Sequence, residues 1–353
     1  MDYENLLYEL IEHVAEVGAS DLHLTAGSRP TMRVSGQLIL LSKNNILSSK
    51  DTAGLVEILL GKEKFKEFLI NREKDFSYSF KDKIRFRVNV FFQKGNIGAA
   101  LRLVPSKIKN FEELFLPKKL SDFVTKKQGF FLVVGPTGHG KSTTLASIIN
   151  EINHSRSEHI VTIEDPIEYI FSSDKSIIDQ REVGFDTKDF HTALRSIFRQ
   201  DMNVAMIGEM RDYETISAAI TAAETGHLVF SSLHTNNASQ TIDRIVDSFP
   251  STQHQQIRTQ LAGSLIGIFS QRLIPRMSGG LIPAYELLIS NDAVRNLIRE
   301  GKNYEIDVVI EIGAENGMVS FNRSLVNLIH TGEISSENAI AFSTNPNDLK
   351  KLL

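Results

Sequence analysis

The chain has 353 residues, 41% of them apolar and 23% charged, ordinary values for a soluble globular protein of two or three domains. A net charge of −4 gives no global field for nucleic acid or anionic lipid, and the lack of cysteine excludes a disulfide scaffold, a cysteine zinc site and a thiol nucleophile. No apolar run reaches the ~18 residues of a membrane span, and the acidic, amphipathic start is unlike a signal peptide, so a soluble cytoplasmic protein is expected.

In chain order, Leu6, Leu7, Leu10, Ile11, Val14 and Val17 recur at helical spacing and predict a first helix that stops at Gly18. "SDLHLTAGSRPTMRVSGQLILL" reads as short strands broken by Gly, Pro and Ser. A helical piece is predicted over residues 52–69. "FSYSFKDKIRFRVNVFFQKGNIGAALRLV" alternates polar and apolar residues and predicts two antiparallel strands joined at Lys94, Gly95 and Asn96. Residues 1–105 thus read as one small α/β domain. "PSKIKNFEELFLP", bracketed by Pro105 and Pro117, is the expected linker, over residues 106–120.

From residue 121 to 353 the pattern becomes strand, loop, helix. Buried strands are predicted at 130–134, 159–163, 204–207 and 228–231, which implies a parallel α/β core. From about residue 291 the chain reads as helical, cut by Gly301, Gly313, Gly317 and Gly332.

"GPTGHGKSTT" meets the G-x-x-x-x-G-K-[ST] spacing with Gly135, Gly140, Lys141 and Ser142, between an apolar strand and a helix. The whole loop, Gly135, Pro136, Thr137, Gly138, His139, Gly140, Lys141, Ser142 and Thr143, is expected to cradle phosphates with backbone N–H groups. Lys141 reaches the β and γ oxygens and Ser142 ligates Mg²⁺ in such loops. His139 fills a free loop position and is expected to face solvent. ATP and Mg²⁺ are therefore the expected ligands.

Hydrolysis needs acids to hold metal and orient water. Two acidic clusters follow apolar strands: Glu164, Asp165 and Glu168 in "HIVTIEDPIEYI", and Glu209 and Asp212 in "NVAMIGEMRD". Acids after strands also cap helices, and the spacing alone leaves both roles open; their joint occurrence behind a phosphate loop favours catalysis. His227 and His234 flank the next strand, seven residues apart, and a neutral imidazole there can read a γ-phosphate. Arg85 and Arg87 share one strand face, Arg102 lies on the next strand, and Arg195 and Arg199 are four apart on a helix. Each suits a role on transition-state charge or an ordinary surface one.

These motifs, in this order, resemble the secretion-ATPase superfamily over nearly the whole chain, most closely its PilT branch, the retraction motors of type IV pili. "ASDLHLTAGSRPTMRVSGQL" is similar to the start of the family's N-terminal domain, "GPTGHGKSTT" to its Walker A loop and "TIEDPIEY" to its Asp box. "VGFDTKDFHTALRSIFRQDMNVAMIGEMRD" resembles its Walker B region and "TGHLVFSSLHTNNA" its His box. The resemblance implies a PAS-like N-terminal α/β domain and a RecA-like P-loop ATPase domain with a parallel-core sheet and a helical C-terminal end. It implies Glu209 as the catalytic glutamate, with Glu164 supporting metal or water, and which of the two takes the proton stays open. Arg87 and Arg102 match N-terminal-domain arginines that close on nucleotide, Arg195 and Arg199 match arginines near the phosphates, and His227 and His234 match the nucleotide-sensing pair. It also implies a homohexamer at the cytoplasmic side of an inner-membrane pilus platform protein.

"AVRNLIRE", residues 293–300, differs from the branch's AIRNLIRE signature only at Val294. As a helix it presents Ala293, Val294, Leu297 and Ile298 as an apolar face, with Arg295, Arg299 and Glu300 outward toward solvent or the platform partner. The missing cysteine motif disfavours an assembly or secretion ATPase. An accessory paralogue of the retraction branch remains the nearer rival. A nucleic-acid motor is disfavoured by the charge and by the absence of a basic, aromatic-rich tract. Met202, Asn203, Phe185 and Ser232 depart from the family pattern, where Pro, Asp, an acid and Thr are common.

Overall fold

The computed structural model describes residues 2–34, 36–81, 84–105 and 107–353. The chain forms two compact units: Met1–Lys107 with Pro166–Ile170, and Ile108–Asp165 with Phe171–Leu353. Ser106, where the linker is expected to begin, lies outside the described residues. From Ile108 the chain is already part of the second unit, and Phe111, Leu116 and Leu120 within it are buried.

In the first unit, α1 (Tyr3–Glu16) is capped by the Asp2 carboxylate, which accepts from the Asn5 N–H, and buries Leu7, Leu10, Ile11 and Val14. Strands β1 (Asp21–Thr25), β2 (Thr31–Val34) and β3 (Gln37–Leu40) follow. The predicted helical piece is two helices, α2 (Ser49–Leu60) and α3 (Lys62–Asn71). Gly61, at φ 73°, ends one and begins the other, because a residue at positive φ cannot continue a right-handed helix. Three strands complete the sheet where two were expected: β4 (Glu73–Phe80), β5 (Ile84–Gln93) and β6 (Asn96–Val104). β5 and β6 join through Lys94 and Gly95, both at positive φ as a tight two-residue hairpin requires. The sheet order is β3-β2-β1-β6-β5-β4 with antiparallel pairing throughout. Leu22, Leu24, Phe86, Val88 and Leu101 pack beneath α1 and α2.

The second unit starts with α4 (Ser121–Val124) and then alternates strand and helix: β7 (Gly129–Val134), α5 (Lys141–Ser155), β8 (His159–Glu164), β9 (Ile177–Glu182), α6 (Phe190–Ile197), β10 (Val204–Ile207), α7 (Tyr213–Glu224), β11 (Leu228–Leu233), α8 (Ala238–Asp247) and α9 (His254–Ser264). A hairpin, β12 (Leu265–Pro275) and β13 (Leu281–Ile289), precedes α10 (Asp292–Glu300), α11 (Ile306–Ile312), α12 (Phe321–His330), α13 (Ser336–Phe342) and α14 (Pro346–Leu352). The sheet order is β13-β12-β7-β11-β10-β8-β9; all pairs are parallel except β12–β13. Every residue of β7 and β11 is buried, as a parallel sheet covered on both faces demands. Registers Val134↔Leu233, Ile207↔Ser231 and Ile163↔Ile207 bring the carboxyl ends of β7, β11, β10 and β8 to one level. Ligands of open α/β sheets bind at that edge. Helices α12 to α14 pack on the far half of the hairpin, around Ile274, Ile282 and Ala284. Among the described residues, no helix is long and apolar enough to cross a membrane.

Candidate nucleotide site

The loop from Gly135 to Gly140 leaves the end of β7 and turns into α5, whose first residue is Lys141. Glycine is required at two points. Gly135 sits at φ 149°, and a side chain there would collide with the Gln271 carbonyl. Gly140, at φ 81°, is the left-handed residue that begins α5. Ser142 and Thr143 follow in the first turn of α5, where unpaired N–H groups and the helix dipole favour an anion. Thr137 and Gly138, the latter at φ 78°, form the exposed crest of the loop.

Lys141 is buried, and its ammonium donates to the carbonyls of Gly135 (2.9 Å) and Pro136 (3.0 Å) and to Nδ1 of His234 (3.2 Å). Thr137 Oγ1 also lies 3.2 Å from that nitrogen. An ammonium has no acceptor, so Nδ1 carries the lone pair. The other ring nitrogen, Nε2, is 3.0 Å from the Glu209 carboxylate and therefore carries the proton. His234 is thus a neutral bridge between the Walker A lysine and the Walker B glutamate.

Glu209 is further paired with Arg211, which also approaches Asp165 at 3.8 Å. Burial opposes ionisation of Glu209, but the hydrogen bonds from His234 and Arg211 outweigh it and hold the carboxyl below its ordinary range. In this arrangement Glu209 is an ionised carboxylate with one oxygen held by Arg211 and the other by His234 Nε2. Glu164, at the end of β8, is 6% exposed and accepts from Thr162 Oγ1 (2.6 Å) and Gln180 Nε2 (3.2 Å). Asp212 takes the helix-capping role: its carboxylate accepts from the Thr215 N–H at the start of α7.

The structure does not bring every predicted residue to this cluster. His227 precedes β11 and His234 follows it, so six residues of strand separate them, roughly 20 Å. His227 Nδ1 is 3.0 Å from the Ala222 carbonyl, and its ring meets Phe198 edge-on at 5.9 Å. Arg195 and Arg199 are exposed, and among the described residues no ion pair ties them to Glu209. In the first unit, Arg87 lies directly opposite Arg102 on the sheet. Arg102 pairs with Asp21 at 2.9 Å while remaining largely exposed.

His139 departs from expectation. It is half-buried rather than solvent-facing: its Nδ1 accepts from the Leu273 N–H (2.9 Å) and its carbonyl accepts from Gln271 Nε2 (2.7 Å). Sequence reasoning also missed Gln271, whose Oε1 accepts from Thr144 of α5 (2.7 Å), and Glu286. Glu286, on β13, is 8% exposed and accepts from the Ala238 N–H at the start of α8, three residues beyond the His234 loop position Thr235. Polar residues inside a strand of otherwise apolar character are the signal that marks both.

The family departures have local partners. Asn203 Oδ1 accepts from the His159 N–H (2.8 Å), and Met202 is buried in the core beside β10. Ser232 keeps the hydroxyl and donates to the Gly208 carbonyl (2.6 Å). Helix α10 is capped by Asn291 and closed by left-handed Gly301. Its buried face is Val294 and Ile298, with Leu297 partly buried; Ala293, expected on that face, is exposed, because it falls one position short of the stripe.

Residues 2–281 match the family model described as type II/IV secretion system protein. The chain is 44% identical to the type IV pilus retraction ATPase PilT of Pseudomonas aeruginosa over 94% of this chain and 96% of that one. It is 38% identical to the type IV pilus ATPase PilU of the same organism over 100% of this chain and 91% of that one. Among solved structures, the pilus retraction motor PilT with bound ADP superposes with a TM-score of 0.91 at 46% identity, covering 97% of this chain and 98% of that one. The chain therefore belongs to the type II/IV secretion system protein family, in its branch of PilT pilus-retraction ATPases.

Proposed function

We propose that this chain hydrolyses ATP to drive retraction of type IV pili and hence twitching motility, as one subunit of a homohexamer at the cytoplasmic face of the inner-membrane pilus base. The observation that carries the reading is the chain of contacts from Lys141 through His234 to Glu209, which links the phosphate loop to the candidate base. Phosphate arriving at the loop competes with the Gly135 and Pro136 carbonyls and with His234 Nδ1 for the Lys141 ammonium. That withdraws a donor from His234 Nδ1 and loosens the opposite nitrogen on Glu209, which then has a free oxygen with which to orient water.

Among the described residues no three His, Asp or Glu side chains cluster as a metal cage. The Ser142 hydroxyl, with Glu164 and Glu209 acting through water, is a set of hard oxygen donors that suits Mg²⁺ shared with phosphates. When bound, Mg²⁺ neutralises charge on the β and γ oxygens. Arg87, Arg102, Arg195 and Arg199 are assigned to the phosphates of bound nucleotide, as the resemblance implies, whereas His227, held on the Ala222 carbonyl, is assigned a structural role. The exposed side of α10, with Ala293, Arg299 and Glu300, is assigned to the platform protein.

Deleting the gene and counting surface pili tests the reading: more pili with lost twitching supports it. Bald cells would mean an assembly motor. An unchanged count would favour the second reading, an accessory paralogue of the retraction ATPase; the chain is also similar along its full length to the type IV pilus ATPase PilU.

A further inference from the structure

The Walker A loop is held from behind by β12. The Gln271 carbonyl closes off the space at Gly135. The Gln271 side chain spans the loop, donating to the His139 carbonyl (2.7 Å) and accepting from Thr144 (2.7 Å). Two residues on, the Leu273 N–H donates to His139 Nδ1 at 2.9 Å. A backbone N–H can only donate, so Nδ1 must be bare and the ring neutral, with its proton on Nε2. A protonated imidazole has no acceptor and would set N–H against N–H at this point.

The strand that receives the loop is itself anchored. Between Gln271 and Leu273, Arg272 donates to the Phe342 carbonyl (3.3 Å) and lies over the Phe321 ring at 5.3 Å. Ile274 then packs among α12 to α14. The bond from His139 therefore pulls on a rigid element.

We propose that His139 is a proton-sensitive positioning residue: its neutral imidazole straps the Walker A loop to β12, and protonation breaks that strap and weakens nucleotide binding. The inference rests on the nucleotide-site reading above and concerns a residue that does not itself touch the reacting atoms. Burial, then the charges of Arg272 on β12 and Lys141 at the start of α5, push the His139 pKa below the usual value of 6.5. The folded form thus favours the neutral ring. The strap is present at neutral pH and is lost as pH falls through the depressed pKa.

The test is the affinity of full-length protein for a fluorescent ADP analogue, from about pH 8 down to about pH 5, in wild type, His139→Ala and His139→Asn. Asparagine sets Oδ1 where Nδ1 lies and does not titrate. Each protein is normalised to its own value at high pH, and the ratio to His139→Asn cancels pH effects common to both proteins. Wild-type affinity is expected to fall about tenfold further than that of His139→Asn, the worth of one hydrogen bond. His139→Ala is expected to bind more weakly than wild type at high pH and to lack the extra fall. Parallel profiles for wild type and His139→Asn would overturn the proposal, as would tight binding by His139→Ala at high pH. Failure of every protein, wild type included, to bind at any pH would overturn it together with the nucleotide-site reading. Thermal melts in the same buffers separate loss of fold from loss of binding.

Discussion

At the amino ends of the parallel strands, His159 places Nδ1 2.8 Å from the Gln200 carbonyl, and His227 places its own 3.0 Å from the Ala222 carbonyl. At the carboxyl ends, His234 finds no such acceptor and instead joins an ammonium to a carboxylate. The contrast follows from the wiring of strand–helix–strand units. Helices finish beside strand starts, so the lower edge is rich in unpaired carbonyls that take a histidine N–H. Helices begin beside strand ends, so the upper edge is rich in N–H groups, and it gathers anions and the side chains that answer them. The same residue type is a structural pin at one edge and a relay at the other.

The sharpest way to break this comparison is at Lys141. Lys141→Ala removes the one cation buried in the loop and is expected to lower kcat/KM for ATP about 1000-fold or more, read by phosphate release. Next comes His234→Ala, which cuts the link between loop and glutamate. Turnover should fall about 10- to 100-fold with ADP affinity changed far less; unchanged turnover would mean that His234 relays nothing.

Glu286 belongs to the upper edge by its place at the start of α8, but it acts on stability. Burial pushes its carboxyl up from 4.5 to about 7, against the helping Ala238 N–H. The folded form therefore holds a proton that the unfolded form has released between those two values, so this residue's contribution to stability falls as pH rises through that window. Glu286→Gln should flatten that part of the Tm–pH curve and raise stability at about pH 8 by a few kcal/mol at most. An unchanged curve would show that Glu286 is ionised throughout. The smallest effect is expected for His227→Ala: about 1 kcal/mol of stability, with ADP affinity within about twofold of wild type, measured by melting and titration.

The parallel core was legible because β7 and β10 are unbroken apolar runs and β8 and β11 are mostly apolar, and the phosphate loop because its spacing and context are both specific. The outer strands were not. β9 is an edge strand with Ile177 exposed and a polar middle. In β12 and β13, Ser270, Gln271, Arg272 and Glu286 interrupt the apolar pattern, and these are the residues that hold the loop, the C-terminal helices and α8. The polarity that hid the strands from periodicity is what they contribute to the site. His139 was misread for a related reason: the partner that buries it lies 134 residues along the chain, beyond any local pattern.

The measurement that tests the account most directly is phosphate release by purified wild type and Glu209→Gln at saturating ATP, with bound nucleotide measured in the same samples. Glu209→Gln should still bind nucleotide and release phosphate about 100- to 1000-fold more slowly. Equal rates would contradict the account, because the carboxylate at the end of the Lys141–His234 relay would then have no part in hydrolysis.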